Sequence, residues 1–105
     1  MAATLTRPLL RDQALTRLRD LESRLRQMGI VSLFLFGSTA RDEAGPDSDV
    51  DLFGDLDPER HFGFAYFGLS GEIGDLIGQK VDFMSRESLH PMLKDRIIAS
   101  GVRVF

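Results

Sequence analysis

One stretch constrains this chain more than any other. Gly37-Ser38 is followed, after ten residues, by Asp49-Val50-Asp51. The run from Val31 to Phe36, rich in apolar β-formers, leads into it. A glycine turn after a strand lets a backbone approach an anion closely. Carboxylates at i and i+2 of a strand point to one face, about 6.5 to 7 Å apart. The spacing permits the two strands to be neighbours, so the fold must bring a small-residue turn beside paired acids.

The flanking segments supply the rest of the fold. Leu10, Ala14, Leu18, Leu21, Leu25 and Met28 follow helical spacing and predict one helix starting near Pro8, with Thr6 or a neighbour as its cap. Gly29 is its expected stop. Strands are expected over Ile30 to Phe36, Asp49 to Phe53, Lys80 to Met84 and Val102 to Phe105. Thr39 to Glu43 reads as a short helix, Ala44 to Ser48 as a loop, and Gly54 to Arg60 as a polar connection. Residues 62–77 have helical spacing weakened by four glycines, Ser85 or alternatively Ser88 can cap a short helix, and Pro91 to Ala99 reads as helical. The alternation predicts an α/β (α+β) domain, a small mixed sheet packed with about four helices, over residues 1–105.

Composition excludes several classes. The 105 residues contain no cysteine, so neither disulfides nor thiolate zinc sites are available. No apolar run approaches a membrane span, and the N-terminal segment is charged too soon for a secretory signal. The expectation is a cytoplasmic protein. Net charge is −3, but residues 37–60 carry eight acids against two Arg, whereas residues 1–28 carry six Arg against three acids. Acidity centred on the Asp-x-Asp stretch suits a divalent cation and opposes direct nucleic-acid contact. Asp42, Glu43, Asp55, Asp57 and Glu59 read as solvated loop acids.

The chemistry follows from the acids. Mg²⁺ takes oxygen ligands, commonly one or two carboxylates plus phosphates and water. Asp49 and Asp51 supply such a pair, or are merely exposed strand acids. The Gly37 backbone and Ser38 hydroxyl could hold phosphates, or form an ordinary turn. Asp82, between Val81 and Phe83, is an acid where a strand needs a reason for one. It completes a two-metal arrangement or faces water on an edge strand.

The pattern Gly-Ser, ten residues, Asp-x-Asp, then a strand Asp resembles the nucleotidyltransferases of the DNA polymerase β superfamily. The length and layout look like the minimal nucleotidyltransferases of bacteria and archaea, and FLFGS, PDSDVDLF, KVDFM and the closing IIASGVRVF all take part. The resemblance implies that Gly37 and Ser38 hold a triphosphate, with Arg41 as the basic residue near it. It implies that Asp49 and Asp51 bind Mg²⁺, with Asp82 as third carboxylate and two ions in all. The family often reads Gly-Ser-Arg-Ala-Arg-Gly here, and this chain departs from it at Thr39 and Asp42. Minimal nucleotidyltransferases are commonly antitoxins that transfer AMP from ATP to a tyrosine of a HEPN-type toxin. The resemblance implies that partner, and the departures at Thr39 and Asp42 keep open an alternative, a catalytically weak or inactive antitoxin that neutralises its partner by binding alone.

So short a chain leaves little to hold a second substrate, so a partner protein is expected to present the acceptor. Phe62, Phe64, Tyr66 and Phe67 are its candidate contacts, or else core. Transfer to RNA ends or a small molecule fits the acidic centre poorly. An Asp-x-Asp phosphatase would need Thr/Ser and Lys positions that Asp51-Leu52-Phe53-Gly54 does not supply. His61 and His90 show no metal-ligand spacing, and Lys94 and Arg96 read as a solvated helix face.

Overall fold

The computed structural model describes residues 8–105. The N-terminal apolar stripe forms two helices, α1 (Arg11–Asp20) and α2 (Glu22–Gln27), separated at Leu21. Leu21 donates its N–H to the Leu18 carbonyl at 3.1 Å, a tight turn, and Leu25 returns to the Leu21 carbonyl at 2.9 Å. The stripe itself survives the break, since Ala14, Leu18 and Leu25 are fully buried. The helix begins at Arg11, later than the sequence suggests, and the Thr6 cap lies outside the described residues. Gly29 ends the pair at φ 95°, where a side chain is disfavoured.

The start of α1 is tied to a distant turn. Its first N–H, on Arg11, donates to Asp42 Oδ1 at 2.6 Å. Asp42 stands in left-handed backbone at φ 57°, a conformation Asp tolerates better than most residues. Asp42→Ala keeps the strained backbone and loses the cap, so it should cost about 1–2 kcal/mol in urea unfolding. Asp42→Gly should recover part of that loss by relieving the strain.

Four strands follow: β1 (Ile30–Phe36), β2 (Val50–Leu56), β3 (Val81–Ser85) and β4 (Val102–Arg103). Their spatial order is β3-β2-β1-β4, with β2 parallel to β3 and β1 antiparallel to both β2 and β4. The sheet is therefore mixed. β2 runs further than its sequence suggests: Gly54, Asp55 and Leu56 pair with Leu33, Ser32 and Ile30. Asp55 is accordingly a strand residue and not a loop acid. Val104 and Phe105 leave regular pairing yet bond with Leu33, whose carbonyl accepts the Val104 N–H at 2.8 Å.

Between the strands lie α3 (Gly37–Ala40), a 3-10 turn (Gly63–Gly68), α4 (Leu69–Ile77), a short 3-10 turn (Arg86–Ser88) and α5 (Lys94–Ser100). The glycine-rich 62–77 segment thus divides into a 3-10 part and an α part, and Gly78 stops it at φ 73°. Leu33, Leu35, Val50, Leu52, Val81 and Phe83 alternate onto one face of the sheet. There they join Leu15, Leu18, Leu25, Leu69, Ile73 and Ile77 of the helices in one core. The opposite face carries Phe34, Phe36, Asp51, Phe53, Asp55 and Asp82 by the same alternation.

Both edges of this sheet are closed by side chains. On β3 the Phe83 N–H donates to Ser70 Oγ at 2.9 Å and the Ser85 N–H to Tyr66 Oη at 3.0 Å. Beside β4, Arg19 donates to the Val104 and Arg103 carbonyls at 3.0 and 2.9 Å. Strand addition at either edge would have to displace these bonds. Among the described residues no helix is long and apolar enough to cross a membrane.

Candidate functional site

Register places the acids. Asp51 pairs with Phe36 on β1 and with Asp82 on β3. Side chains directly opposite on neighbouring strands share a face, so Phe36, Asp51 and Asp82 form one row across three strands. Asp49 lies just before β2, not on it. The bond from the Val50 N–H to the Lys80 carbonyl, at 2.9 Å, keeps that step beside the start of β3. The Gly37 turn closes on the same point: a Cβ on Gly37 would overlap Asp51 Oδ2, and its φ of 74° excludes most side chains as well.

Electrostatics record this crowding. The Asp51 carboxyl is pushed up to about 6 from 3.8, first by burial, then by the charges of Asp82 and Asp49, with Arg41 opposing. An acid partly out of water and facing two like charges favours its neutral form. A bound cation would remove that conflict. Among the described residues no group of three or more His, Cys, Asp or Glu is already arranged as a metal cage. The donor set still suits a hard divalent cation: carboxylate oxygens on adjacent strands, mutually repulsive and beside a turn with no side chain in the way.

The basic residues around the acids are only loosely held. Arg41 bonds Glu43 Oε1 at 2.8 Å and is largely exposed. Lys80 Nζ stands 3.8 Å from Asp49 Oδ1 and is 82% exposed. Asp49 and Lys80 line a groove of about 920 Å³ together with Asp47, Ser48, Gly71 and Asp75.

Sequence reasoning missed a second cluster on the same face. Arg86 forks onto both Asp55 oxygens at 2.9 Å each, and Ser32 Oγ bonds the same carboxylate. The guanidinium lies over the Phe34 and Phe53 rings, themselves stacked at 4.8 Å. Arg86 holds the Asp55 carboxyl below its ordinary range. The sequence signal was available: Asp55 is four residues beyond Asp51, two strand periods along the same face. The two departures from the family pattern also find places, since Thr39 is 1% exposed and Asp42 caps α1. The aromatic run divides, with Phe62 and Tyr66 packed against the core and Phe64 and Phe67 92% and 76% exposed.

The sheet presents acids from adjacent strands beside a glycine-serine turn, and comparison with known proteins gives the class of protein to which this arrangement belongs. The chain belongs to the nucleotidyltransferase domain family, which matches residues 16–104, and it is a minimal nucleotidyltransferase enzyme. It is 33% identical over 76 residues to a candidate protein adenylyltransferase of Methanocaldococcus jannaschii, covering 72% of this chain and 81% of that one. A solved structure of a candidate minimal nucleotidyltransferase superposes with a TM-score of 0.74 at 28% identity, covering 90% of this chain and 95% of that one. A toxin–antitoxin structure with AMP-PNP shares the fold, with a TM-score of 0.67 at 17% identity, over 83% of this chain and 72% of that one.

Proposed function

We propose that this chain transfers AMP from ATP to a hydroxyl, a tyrosine, on a HEPN-type toxin and so acts as its antitoxin. The observation that carries the proposal is the row formed by Asp51 and Asp82 against the Gly37 turn, with Asp49 in electrostatic reach. The relative described as a candidate protein adenylyltransferase supports the reaction type. The toxin–antitoxin structure of like fold supports the context.

Asp49, Asp51 and Asp82 would hold Mg²⁺, two ions in all, which lowers the charge on the phosphates and the pKa of the attacking hydroxyl. The Gly37 backbone and Ser38 would hold the triphosphate, and Arg41 would leave Glu43 to meet it. Asp82 would take the proton of the acceptor hydroxyl. The acceptor oxygen attacks the α-phosphorus in line, the bond from that phosphorus to the bridging oxygen breaks, and pyrophosphate leaves. The chain's part is positioning and charge. The packed Phe34, Phe36 and Phe53 rings keep the floor beside Asp51 apolar.

The alternative, neutralisation by binding alone, rested on Thr39 and Asp42. Thr39 packs inward and the Asp42 carboxylate is engaged by α1. Both departures therefore have structural roles, and the catalytic reading rests on the acid row rather than on them. The test is incubation with Mg²⁺, ATP labelled at the α-phosphate and a HEPN-type toxin, sought in the adjacent reading frame. Wild type should label that protein, and Asp49→Asn should reduce labelling by about a hundredfold or more. Labelling at the wild-type rate by the Asn variant would refute the assignment.

A further inference from the structure

We propose that Lys80 is a positioning residue that changes partners: it neutralises Asp49 before nucleotide arrives, then turns to the β- and γ-phosphate oxygens of the triphosphate. The inference rests on the nucleotidyl-transfer reading and adds a residue to it.

Three observations lead there. First, Lys80 and Asp49 are paired, but loosely, at 3.8 Å with the lysine 82% exposed. Such a pair is weak and exchanges readily. Second, the base of Lys80 is fixed while its ammonium is not. The Lys80 carbonyl accepts the Val50 N–H at 2.9 Å, so the side chain springs from a point anchored beside the Asp49–Val50 step. Third, Lys80 is the one cationic side chain among the described residues lining the groove, where Asp47, Asp49 and Asp75 are the acids. The groove adjoins the acid row only through Asp49, since Gly37, Ser38, Asp51 and Asp82 do not line it, so Lys80 is the cation at the border between the two.

Geometry sets the direction of the exchange. Asp51 touches the Gly37 turn on one side of the acid row, and Asp49 touches Lys80 on the other. Phosphates held at the turn and reaching along the acids would meet Lys80 at the far side. When the Asp49 carboxylate is taken up by a metal ion, Lys80 loses its counter-charge. Phosphate oxygens supply a new one. A lysine suits this exchange better than an arginine, because its ammonium is a mobile point charge and not a fixed fork.

The role has an unusual signature, because removing the lysine should move two affinities in opposite directions. Calorimetric titration of Lys80→Ala with Mg²⁺ alone should show binding about two- to fivefold tighter than wild type, since a competitor for Asp49 is gone. Titration with ATP in Mg²⁺ should show binding about tenfold weaker. AMP, which lacks the β- and γ-phosphates, should bind both proteins alike. Lys80→Arg should restore part of the ATP affinity. A merely structural lysine would weaken all ligands together. Equal losses for ATP and AMP, or unchanged affinity for both Mg²⁺ and ATP, would overturn the proposal. Absence of ATP binding by the wild-type protein would instead overturn the functional reading beneath it.

Discussion

Replacing Asp51 with Asn is expected to lower nucleotidyl transfer by about a thousandfold or more and to raise the melting temperature of the metal-free protein. The two effects share one cause. Asp51 sits partly buried on β2, abreast of Asp82, with Asp49 close by, and its carboxyl is pushed up to about 6 from 3.8. Between those two values the folded chain binds a proton more tightly than the unfolded chain. Stability therefore falls as pH rises through that window. The cost of the ionised carboxylate is fully present by about pH 8, fades as pH drops below 6, and is gone below the unfolded value. Solvent reaches this carboxylate, so a gain of about 1 kcal/mol for the Asn variant is expected at pH 8. That is a rise of about 5 °C in a domain of this size.

A thermal scan with and without Mg²⁺ separates the parts. The wild-type protein should gain stability on adding the ion, by mass action, and the Asn variant should gain little. The stability advantage of the variant should also shrink at pH 4.5. A variant that melts at or below wild type at pH 8, with the same difference at pH 4.5, would show that Asp51 is not under electrostatic strain. Sites that bind charged ligands commonly hold such strain when empty. Burial is the largest source here and the Asp82 charge the next, so Asp82→Asn should lower the Asp51 pKa part of the way toward its ordinary value.

Much of this arrangement could be read before the fold was known, because it is written in short-range pattern. The strand-forming run before Gly37, the turn itself and the alternation through Asp51 all lie within one stretch of chain. Asp82 could be placed on a strand from its position between Val81 and Phe83, and it stands exposed on the edge strand β3, where an acid facing water is also at home. The features that escaped depend on pairing between distant segments. Gly54 and Asp55 look like loop residues until β1 lies beside them. Arg86 and Asp55 are 31 residues apart, and only the parallel pairing of β2 with β3 brings them together. The cap from Asp42 to Arg11 spans 31 residues in the same way. Helical spacing located the stripe from Leu10 to Met28 but could not reveal its break, since Leu21 keeps its place in the stripe while its backbone tightens. The split of the aromatic run follows from Tyr66, whose hydroxyl is drawn to the β3 edge and leaves Phe67 on the outside.

The largest effect on stability is expected from Gly54→Ala. Gly54 lies on β2, an inner strand, paired with Leu33 on one side and Ser85 on the other. A Cβ there would overlap the Ser32 carbonyl oxygen and stand 3.3 Å from a Phe83 ring carbon. A side-chain tip could swing aside, but the carbonyl belongs to β1 itself. That strand cannot yield locally, because its register already shifts between Ile30 and Ser32 and the Ser32 hydroxyl is bound to Asp55. Relief requires β1 and β2 to part, which also loosens the Asp55–Arg86 fork. Overpacking costs about 1–3 kcal/mol where neighbours can adjust. Against rigid backbone the upper end or beyond is expected, a large share of the few kcal/mol that stabilise a small domain. Gly71→Ala is the matched control. It places the same methyl in open space inside α4, where alanine is a better helix former by about 1 kcal/mol. Urea midpoints should therefore move in opposite directions, downward for Gly54→Ala and upward for Gly71→Ala. A Gly54→Ala midpoint within error of wild type would mean that the sheet accommodates the methyl, and that the close approach of β1 to β2 is not a constraint on this fold.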